Sequence, residues 1–99
     1  LGFSQGGPTA TRWVINNKFK LNSLILWGCD LPNDCLEEAN KSRWSDFRLK
    51  YVIGKNDEYI DDEKILHEKE KLTNYGLVYD FHLFDGGHNI ESSTLKKLI

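Results

Sequence analysis

Three short apolar runs along the chain have the pattern of β-strands. Ser23 to Trp27 and Leu49 to Ile53 are apolar at most positions, which is typical of strands covered on both faces in a parallel sheet. Leu77 to Phe84 alternates instead, with Asp80 and His82 on the polar face. The apolar face of this run carries Leu77, Tyr79, Phe81 and Leu83. Half-polar alternation of this kind predicts a strand near the edge of the sheet.

Segments with helical spacing lie between these runs. Ala10, Trp13 and Val14 stand at i, i+3 and i+4, the spacing of one apolar helix face, and Asn16-Asn17 is a plausible end. After a loop over Gly28 to Asp34, which contains Pro32, a weakly periodic helix is predicted over Cys35 to Trp44.

Two further helices are predicted in the second half of the chain. Asp61 or Asp62 can cap the first of them and Gly76 can end it. The residues expected to face inward from this helix are Ile65, Leu66 and Leu72. The apolar residues expected on the last helix are Ile90, Leu95, Leu98 and Ile99.

Strands that alternate with helices predict a parallel α/β sheet with right-handed crossovers. A chain of 99 residues is long enough for one domain at most, so residues 1–99 are treated as a single unit. The sequence therefore predicts an α/β fold without an internal repeat.

Composition and charge exclude several classes of function. The net charge of −2 and the charge runs of mixed sign give no sign of nucleic-acid binding. The longest apolar run, Leu24 to Trp27, is too short to cross a bilayer. Cys29 and Cys35 have no companion Cys or His pair, so neither a metal site nor a disulfide framework is predicted. Free thiols favour a reducing compartment, and we expect a cytoplasmic protein.

The first residues of the chain contain the candidate nucleophile. Gly2 to Gly6 has the form G-x-S-x-G, the nucleophile elbow that turns from a strand into a helix and exposes a serine above a parallel sheet. A random chain of this length contains the motif about 3% of the time, given typical Gly and Ser frequencies. Ser4 therefore needs support from the rest of the chain.

That support comes from the loops that follow two predicted strands. Asp57 follows the second strand, and His88 follows the third after Gly86-Gly87. Because ligands of open α/β sheets gather at the carboxyl ends of the strands, we expect Ser4, Asp57 and His88 to meet there. Ser, Asp, His is also the chain order of the α/β-hydrolase triad.

The three residues would have separate tasks in catalysis. His88 would accept the proton of Ser4 as general base, and Asp57 would orient the imidazole. The N–H of Gln5, which follows the nucleophile, would donate to the oxyanion. The possible pocket residues are Trp27, Cys29 and Leu31.

Other residues of the same types compete for these roles. The competing carboxylates are Asp30, Asp34, Asp61 and Asp62, none of which follows a strand as directly as Asp57. His67 lies in a charged helix and His82 lies within a strand, so both are more readily explained as solvated or structural residues.

Three motifs together resemble one branch of the α/β-hydrolases. Gly2-Phe3-Ser4-Gln5-Gly6-Gly7, Gly54-x-x-Asp57-x-x-Ile60 and Gly86-Gly87-His88-x-Ile90 are similar to the carboxylesterase, phospholipase and acyl-protein-thioesterase branch. The resemblance runs the whole length of the chain and implies the C-terminal half of such an enzyme. It also implies that Ser4 is the nucleophile, Asp57 the orienting acid, His88 the base and the Gln5 N–H one oxyanion donor.

The function expected from this resemblance is hydrolysis of carboxylic esters or thioesters through an acyl-enzyme, with no metal or organic cofactor. A non-catalytic α/β-hydrolase-like binding module is the alternative from another class, and a serine peptidase or lipase of the same fold is an alternative among enzymes. In a whole hydrolase, the Ser23–Trp27 strand would have a neighbour on each side. We expect the isolated chain to leave one side of that strand bare and to self-associate through it, with weak or no activity of its own.

Overall fold

A computed structural model describes residues 1–17 and 20–98 of the chain. The β-strands are β1 (Gly2–Phe3), β2 (Ser23–Trp27), β3 (Arg48–Gly54) and β4 (Tyr79–Phe84). The α-helices are α1 (Gly6–Asn16), α2 (Lys41–Trp44), α3 (Asp62–Tyr75) and α4 (Ser92–Leu98). None of the described helices is long and apolar enough to cross a membrane.

The described strands form one parallel sheet in the order β1-β2-β3-β4. In the register of the sheet, Leu26 pairs with Tyr51, and Tyr51 pairs with Phe81. Because consecutive parallel strands are joined by helices, this arrangement confirms the predicted α/β fold.

The two inner strands are covered on both faces, as their apolar sequences predict. Leu24 and Leu26 of β2 belong to one hydrophobic cluster together with Tyr51 and Leu72. Ile25 and Trp27 belong to a second cluster on the opposite face, with Val52, Phe84 and Leu98. The strand β4, at the edge of the described sheet, is only partly buried, which agrees with its alternating sequence.

The prediction that Trp13 lies on the buried face of α1 is wrong, since Trp13 is 64% exposed. The buried face consists of Gly7, Thr11, Val14 and Ile15. Small residues face the sheet because α1 starts directly at the turn and approaches the loop after β2 very closely. A Cβ on Gly7 would lie 2.1 Å from the Cys29 Sγ atom.

The helix α3 ends as predicted but buries a different face. The carboxylate of Asp61 accepts a hydrogen bond from the Lys64 N–H at 2.9 Å, and Gly76 ends the helix with a φ of 87°. Leu72 is buried, but Leu66 is 59% exposed, so its predicted inward position is wrong. The buried position is occupied instead by Glu68, whose carboxylate has polar partners below the helix.

Two predicted element boundaries and one apolar face also need correction. The predicted helix over Cys35 to Trp44 consists of 3₁₀ turns at Asn33–Cys35 and Glu38–Asn40, followed by the single turn of α2. Leu83 of the edge strand β4 is 49% exposed, so its expected place on an apolar face with Leu77, Tyr79 and Phe81 is wrong. Ile90 precedes α4 and is exposed, and Ile99 lies outside the described residues.

The side of β2 that was expected to be bare is partly covered. The short strand β1 pairs with Leu26 and Trp27 at the carboxyl end of β2. Among the described residues, Ser23 to Ile25 have no strand partner on this side. The pairing that remains is enough to hold the turn at Ser4 beside the sheet, because the Ser4 N–H donates to the Trp27 carbonyl at 2.9 Å.

Candidate active site

Ser4 lies at the turn between β1 and α1. Its φ of 53° is in the left-handed region, which a residue other than glycine adopts at an energetic cost. The turn is closed by a hydrogen bond of 3.0 Å from the Gly7 N–H to the Ser4 carbonyl. A Cβ on Gly2 would lie 2.6 Å from the Gly7 Cα atom, so the strand and the helix meet only because both positions are glycine. This geometry is that of a nucleophile elbow.

Asp57 occupies the turn that follows β3. The Asp57 N–H donates to the Gly54 carbonyl at 3.1 Å, which closes the turn. One carboxylate oxygen of Asp57, Oδ1, accepts the Tyr59 N–H at 2.8 Å. The Asp57 side chain is only 1% exposed. One carboxylate oxygen is thus fixed by the turn itself, and the other faces the next loop.

That next loop follows β4 and carries His88. It is joined to the turn after β3 by a hydrogen bond from the Asn56 N–H to the Gly86 carbonyl, at 2.9 Å. A Cβ on Gly54 would lie 2.3 Å from the Gly86 carbonyl oxygen, so the two turns pack with no room for a side chain. From below, the indole N–H of Trp27 donates to the Asn89 carbonyl at 2.9 Å. The backbone on both sides of His88 is therefore anchored.

The three side chains form a continuous hydrogen-bonded chain. His88 Nδ1 lies 2.8 Å from Asp57 Oδ2, and His88 Nε2 lies 2.8 Å from Ser4 Oγ. An ionised carboxylate only accepts hydrogen bonds, so Nδ1 donates to Asp57, and in the neutral ring Nε2 accepts the Ser4 hydroxyl. The sequence places the three residues 84 positions apart at most, and the carboxyl edge of the sheet brings them together.

Two aromatic rings and a glycine surround the imidazole of His88. The ring of Phe3 lies 5.0 Å from it and that of Tyr59 lies 4.8 Å from it, measured between centroids. Gly28, with a φ of 65°, lies so close that a Cβ there would be 3.0 Å from two ring atoms. Sequence reasoning missed these contacts. Phe3 directly precedes Ser4, and Tyr59 is two residues after Asp57. This proximity in the sequence was the available signal that both rings lie near the candidate site.

The backbone after Ser4 is suited to bind an anion. Gln5 has helical dihedral angles (φ −63°, ψ −19°) and immediately precedes α1. The first N–H groups of a helix have no intrahelical acceptor and lie at the positive end of the helix dipole. The Gln5 N–H therefore belongs to a helix start that directly follows Ser4.

A cavity of about 870 Å³ opens beside Ser4 and His88. Among the predicted pocket residues, Cys29 lines this cavity, together with Gln5, Tyr59 and Ile60. Trp27 and Leu31 do not line it, because both side chains are 1% exposed and lie within the hydrophobic core. Trp27 contributes to the site through the hydrogen bond below the His88 loop, not through a pocket surface.

Cys29 is a neutral thiol in the cavity wall. Burial, together with the negative charges of Asp30 and Glu68, raises the pKa of Cys29 to about 12. Because the thiolate is the reactive form, this cysteine is not a nucleophile near neutral pH.

The competing carboxylates and histidines have other positions. Asp34 forms a two-fold hydrogen-bonded ion pair with Arg12, which lowers the pKa of Asp34. Asp61 caps α3, and Asp62 begins it. Asp30 and His67 reach the cavity lining but contact neither Ser4 nor His88 through a hydrogen bond in the described part of the chain. Within residues 1–17 and 20–98, no group of three acidic, His or Cys side chains could hold a metal ion.

Comparison with solved structures gives a likeness at the level of the fold. No protein-family model matches the chain, and no curated protein sequence matches it. The structure is similar to the crystal structure of MGS-M1, an alpha/beta hydrolase enzyme from a Medee basin deep-sea metagenome library, with a TM-score of 0.57 and 24% sequence identity. The match covers 89% of this chain and 38% of MGS-M1.

The chain has the fold of part of an α/β-hydrolase. The parallel order of the sheet and the elbow between β1 and α1 carry this assignment together with the match. In an α/β-hydrolase sheet, the loops at the carboxyl ends of the strands are the place for reactive side chains. The turns that carry Ser4, Asp57 and His88 are all at that edge.

Proposed function

We propose that the complete polypeptide containing this chain is a serine hydrolase that cleaves carboxylic esters or thioesters. The observation that carries the proposal is the pair of 2.8 Å contacts that connect Ser4, His88 and Asp57. A serine hydroxyl is a weak nucleophile until a base removes its proton, and a neutral imidazole held by a carboxylate is suited to do so.

The first half of the reaction forms an acyl-enzyme. Ser4 Oγ attacks the carbonyl carbon of the substrate while its proton passes to His88 Nε2. The electron pair of the C=O bond moves to the oxygen, and the N–H of Gln5 donates to this oxyanion. When the C–O or C–S bond breaks, the imidazolium returns the proton to the leaving alcohol or thiol.

The second half releases the acid. A water molecule gives its proton to His88 Nε2 and attacks the acyl carbon, and the carboxylic acid leaves when Ser4 regains the proton. In both halves Asp57 keeps the Nδ1 proton in place and stabilises the imidazolium without taking its proton. Metal or organic cofactors have no step in this scheme.

The ester and thioester class is supported by the three motifs that resemble the carboxylesterase, phospholipase and acyl-protein-thioesterase branch. One part of the cavity wall agrees with it, because Pro8, Ile53 and Ile60 are apolar and suit an acyl chain. Charged side chains such as Glu63 and Lys64 form another part of the wall.

Turnover of a short p-nitrophenyl ester and of a matching thioester by the complete polypeptide tests this proposal. We expect measurable hydrolysis of both, and a loss in kcat of about 10³-fold or more in Ser4→Ala and in His88→Ala. The acyl-enzyme should appear as the mass of the acyl group on the protein when the reaction is quenched early.

Matched variants distinguish catalysis from a general effect of substitution. Ser93→Ala changes an exposed serine in α4, and His82→Gln changes a half-buried histidine in β4; both should keep the kcat of the unmodified protein. Absence of turnover by the unmodified polypeptide on every ester and thioester tried would contradict the proposal. So would equal losses in Ser4→Ala and Ser93→Ala.

A further inference from the structure

A largely buried ion pair on α3 binds the backbone of the loop that follows β2. The carboxylate of Glu68 and the ammonium group of Lys71 lie 3.1 Å apart, one turn apart on the helix, and their side chains are 10% and 19% exposed. Both groups also contact the backbone of Leu31. The Leu31 N–H donates to Glu68 Oε1 at 3.4 Å, and Lys71 Nζ donates to the Leu31 carbonyl at 2.7 Å.

A third side chain fixes the carboxylate from the sheet. The Tyr51 hydroxyl donates to Glu68 Oε1 at 3.2 Å. Burial, the negative charge of Glu68 and this hydrogen bond raise the pKa of Tyr51, so the hydroxyl remains a donor at all physiological pH values. The carboxylate of Glu68 is thereby held by the sheet, by the helix and by the loop at once.

The segment held in this way, Gly28 to Leu31, contacts His88 and the first turn of α1, which follows Ser4. Gly28 packs against the imidazole of His88 and lies near Asp57, since a Cβ there would be 3.6 Å from Asp57 Oδ2. Cys29 packs against Gly7, within α1 and directly after the elbow. A shift of this segment would change the support of the base and of the nucleophile together.

A buried ion pair is a poor source of stability, because the desolvation of two charges offsets most of their attraction. Apolar residues could join α3 to the sheet as well, as Leu72 does. The charged groups of Glu68 and Lys71 instead bind both the N–H and the carbonyl of Leu31. Directional hydrogen bonds of this kind fix where the Leu31 backbone lies relative to α3, which apolar contacts do not.

We propose that Glu68 and Lys71 are a positioning pair, which holds the Gly28–Leu31 segment in place under His88 and the Ser4 turn. Neither residue takes part in bond making. The consequence for catalysis rests on the proposed hydrolase function, whereas the consequence for the loop does not.

The cysteines of the chain allow the loop to be tested without any substrate. Cys29 lies in the held segment, and Cys35 lies in the core, 2% exposed, just beyond it. Alkylation by iodoacetamide at pH 9, located by fragmentation mass spectrometry, reports opening of the loop at Cys29 and opening of the core at Cys35. The ratio of the Cys29 to the Cys35 alkylation rate therefore distinguishes local opening of the Gly28–Leu31 segment from general unfolding.

We expect Lys71→Met to raise the Cys29 to Cys35 ratio about 5-fold or more, because a local opening no longer has to break the backbone contacts of Leu31. Glu68→Ala should raise the ratio further, since loss of its negative charge also lowers the pKa of Cys29. Lys71→Arg keeps a charged donor and should restore most of the original ratio. Glu68→Gln keeps the acceptor but loses the charge, so its ratio should lie below that of Glu68→Ala and above that of the unmodified protein. Glu70→Ala, at an exposed position of the same helix, should leave the ratio unchanged.

In the active polypeptide, kcat per titrated Ser4 should fall about 10- to 100-fold in Glu68→Ala and Lys71→Met, since a displaced catalytic group costs this much. The change in KM should be smaller. Glu68 also lines the cavity, so a substrate contact by Glu68 would instead raise KM in Glu68→Ala and leave Lys71→Met near normal.

Failure of this inference and failure of the proposed function have different signatures. A Cys29 rate that rises no more than the Cys35 rate would overturn the positioning role, whether or not the protein is an esterase. An increased ratio with unchanged kcat per titrated site would overturn it as well. An unmodified polypeptide without turnover, but with the expected change in ratio, would contradict the hydrolase and leave the positioning of the loop supported.

Discussion

At the scale of single residues, the orientation of one imidazole decides what the site can do. His88 is held by hydrogen bonds on both ring nitrogens, by Phe3 and Tyr59 around its ring, and by Gly28 beneath it. The contact with Asp57 selects the tautomer in which Nε2 can accept the Ser4 proton. We therefore regard the Asp57 contact as the most sensitive single interaction in the proposed mechanism.

Replacement of that carboxylate gives the first residue-scale prediction. Asp57→Asn keeps the volume and the acceptor for the Tyr59 N–H but favours the wrong tautomer of His88, so we expect kcat for ester hydrolysis to fall by about 10⁴-fold with little loss of stability. The control is Asp62→Asn, at an exposed position of α3. An Asp57→Asn enzyme with more than about one-tenth of the original kcat would contradict the role of Asp57.

The second residue-scale prediction concerns the thiols. With a pKa raised by burial to about 12, Cys29 carries about 10³-fold less thiolate at pH 8 than a model thiol of pKa 9. Its alkylation by iodoacetamide should be slower by at least that factor, and the rate should rise about ten-fold per pH unit up to the pKa. Cys35, with its pKa raised to about 11, should behave similarly. Alkylation of Cys29 at pH 8 at the rate of an unstructured cysteine peptide would contradict this prediction.

Single residues also mark where the sequence was informative. Asp57 and His88 could be selected from several Asp and His residues because each directly follows a predicted strand, and the edge of a parallel sheet collects such residues. The surroundings of His88 were only weakly signalled. Phe3 and Tyr59 stand close to Ser4 and Asp57 in the sequence, but their contacts with the ring, like that of Gly28, depend on packing between loops. The prediction that Trp27 lines the pocket was wrong because an aromatic residue at a strand end has the same sequence pattern in a core and in a pocket.

At the scale of elements, turns rather than helices or strands place the candidate site. Ser4, Asp57 and His88 all stand in turns whose backbones are tied to the sheet or to one another. Close packing between the turns after β3 and β4 leaves no space for a Cβ at Gly54, and a Cβ at Gly28 would press on the His88 ring at 3.0 Å. The conformation of Gly28 thus contributes to the placement of His88.

Two glycines with positive φ provide a matched test of that statement. Gly28 and Gly76 have φ values of 65° and 87°, but only Gly28 has neighbours where a Cβ would be. We expect Gly76→Ala to cost about 1–2 kcal/mol, the strain of the left-handed conformation alone. Gly28→Ala should cost more and should also reduce kcat, because the new methyl group displaces His88.

Urea unfolding for stability and ester turnover for activity would provide the two measurements. Equal destabilisation by Gly28→Ala and Gly76→Ala, together with unchanged kcat in both, would show that the loop after β2 does not position His88.

Helix faces were the elements that sequence patterns predicted least well. The faces of α1 and α3 toward the sheet contain Gly7, Thr11 and Glu68, which are not apolar in the usual sense. Gly7 and Thr11 face inward because the elbow brings α1 too close to the loop after β2 for large side chains. Glu68 faces inward because its carboxylate accepts hydrogen bonds from Leu31 and Tyr51. Trp13 and Leu66 consequently lie outside, although apolar periodicity predicts the opposite. The ends of α3 were predictable, since Asp61 and Gly76 act locally.

At the scale of the whole molecule, the parallel order of the described sheet was predictable from the alternation of strands and helices. The edges of the sheet were harder to predict. The strand β1 extends to Phe3 and covers the carboxyl end of β2, whereas Ser23 to Ile25 have no strand beside them on that side among the described residues. Pairing of this edge with another chain is therefore open to the isolated polypeptide.

We predict that residues 1–99 alone associate in solution through this edge. Light scattering after size-exclusion chromatography should give an apparent mass that rises with protein concentration, because backbone pairing between chains buries unpaired N–H and C=O groups. A longer polypeptide that extends β1 alongside Ser23 to Ile25 should remain of constant mass. A monomer of residues 1–99 that keeps its mass over a hundred-fold range of concentration and unfolds cooperatively would contradict this prediction.

The central claim is that Ser4 is a nucleophile activated by His88. The most direct measurement is the reaction of the complete polypeptide with a fluorophosphonate, followed by peptide mapping of the adduct. We predict a single adduct on Ser4, absent from Ser4→Ala and much slower to form in His88→Ala, while Ser93→Ala reacts at the normal rate. An intact protein that does not react, or an adduct that maps to another residue, would contradict the claim.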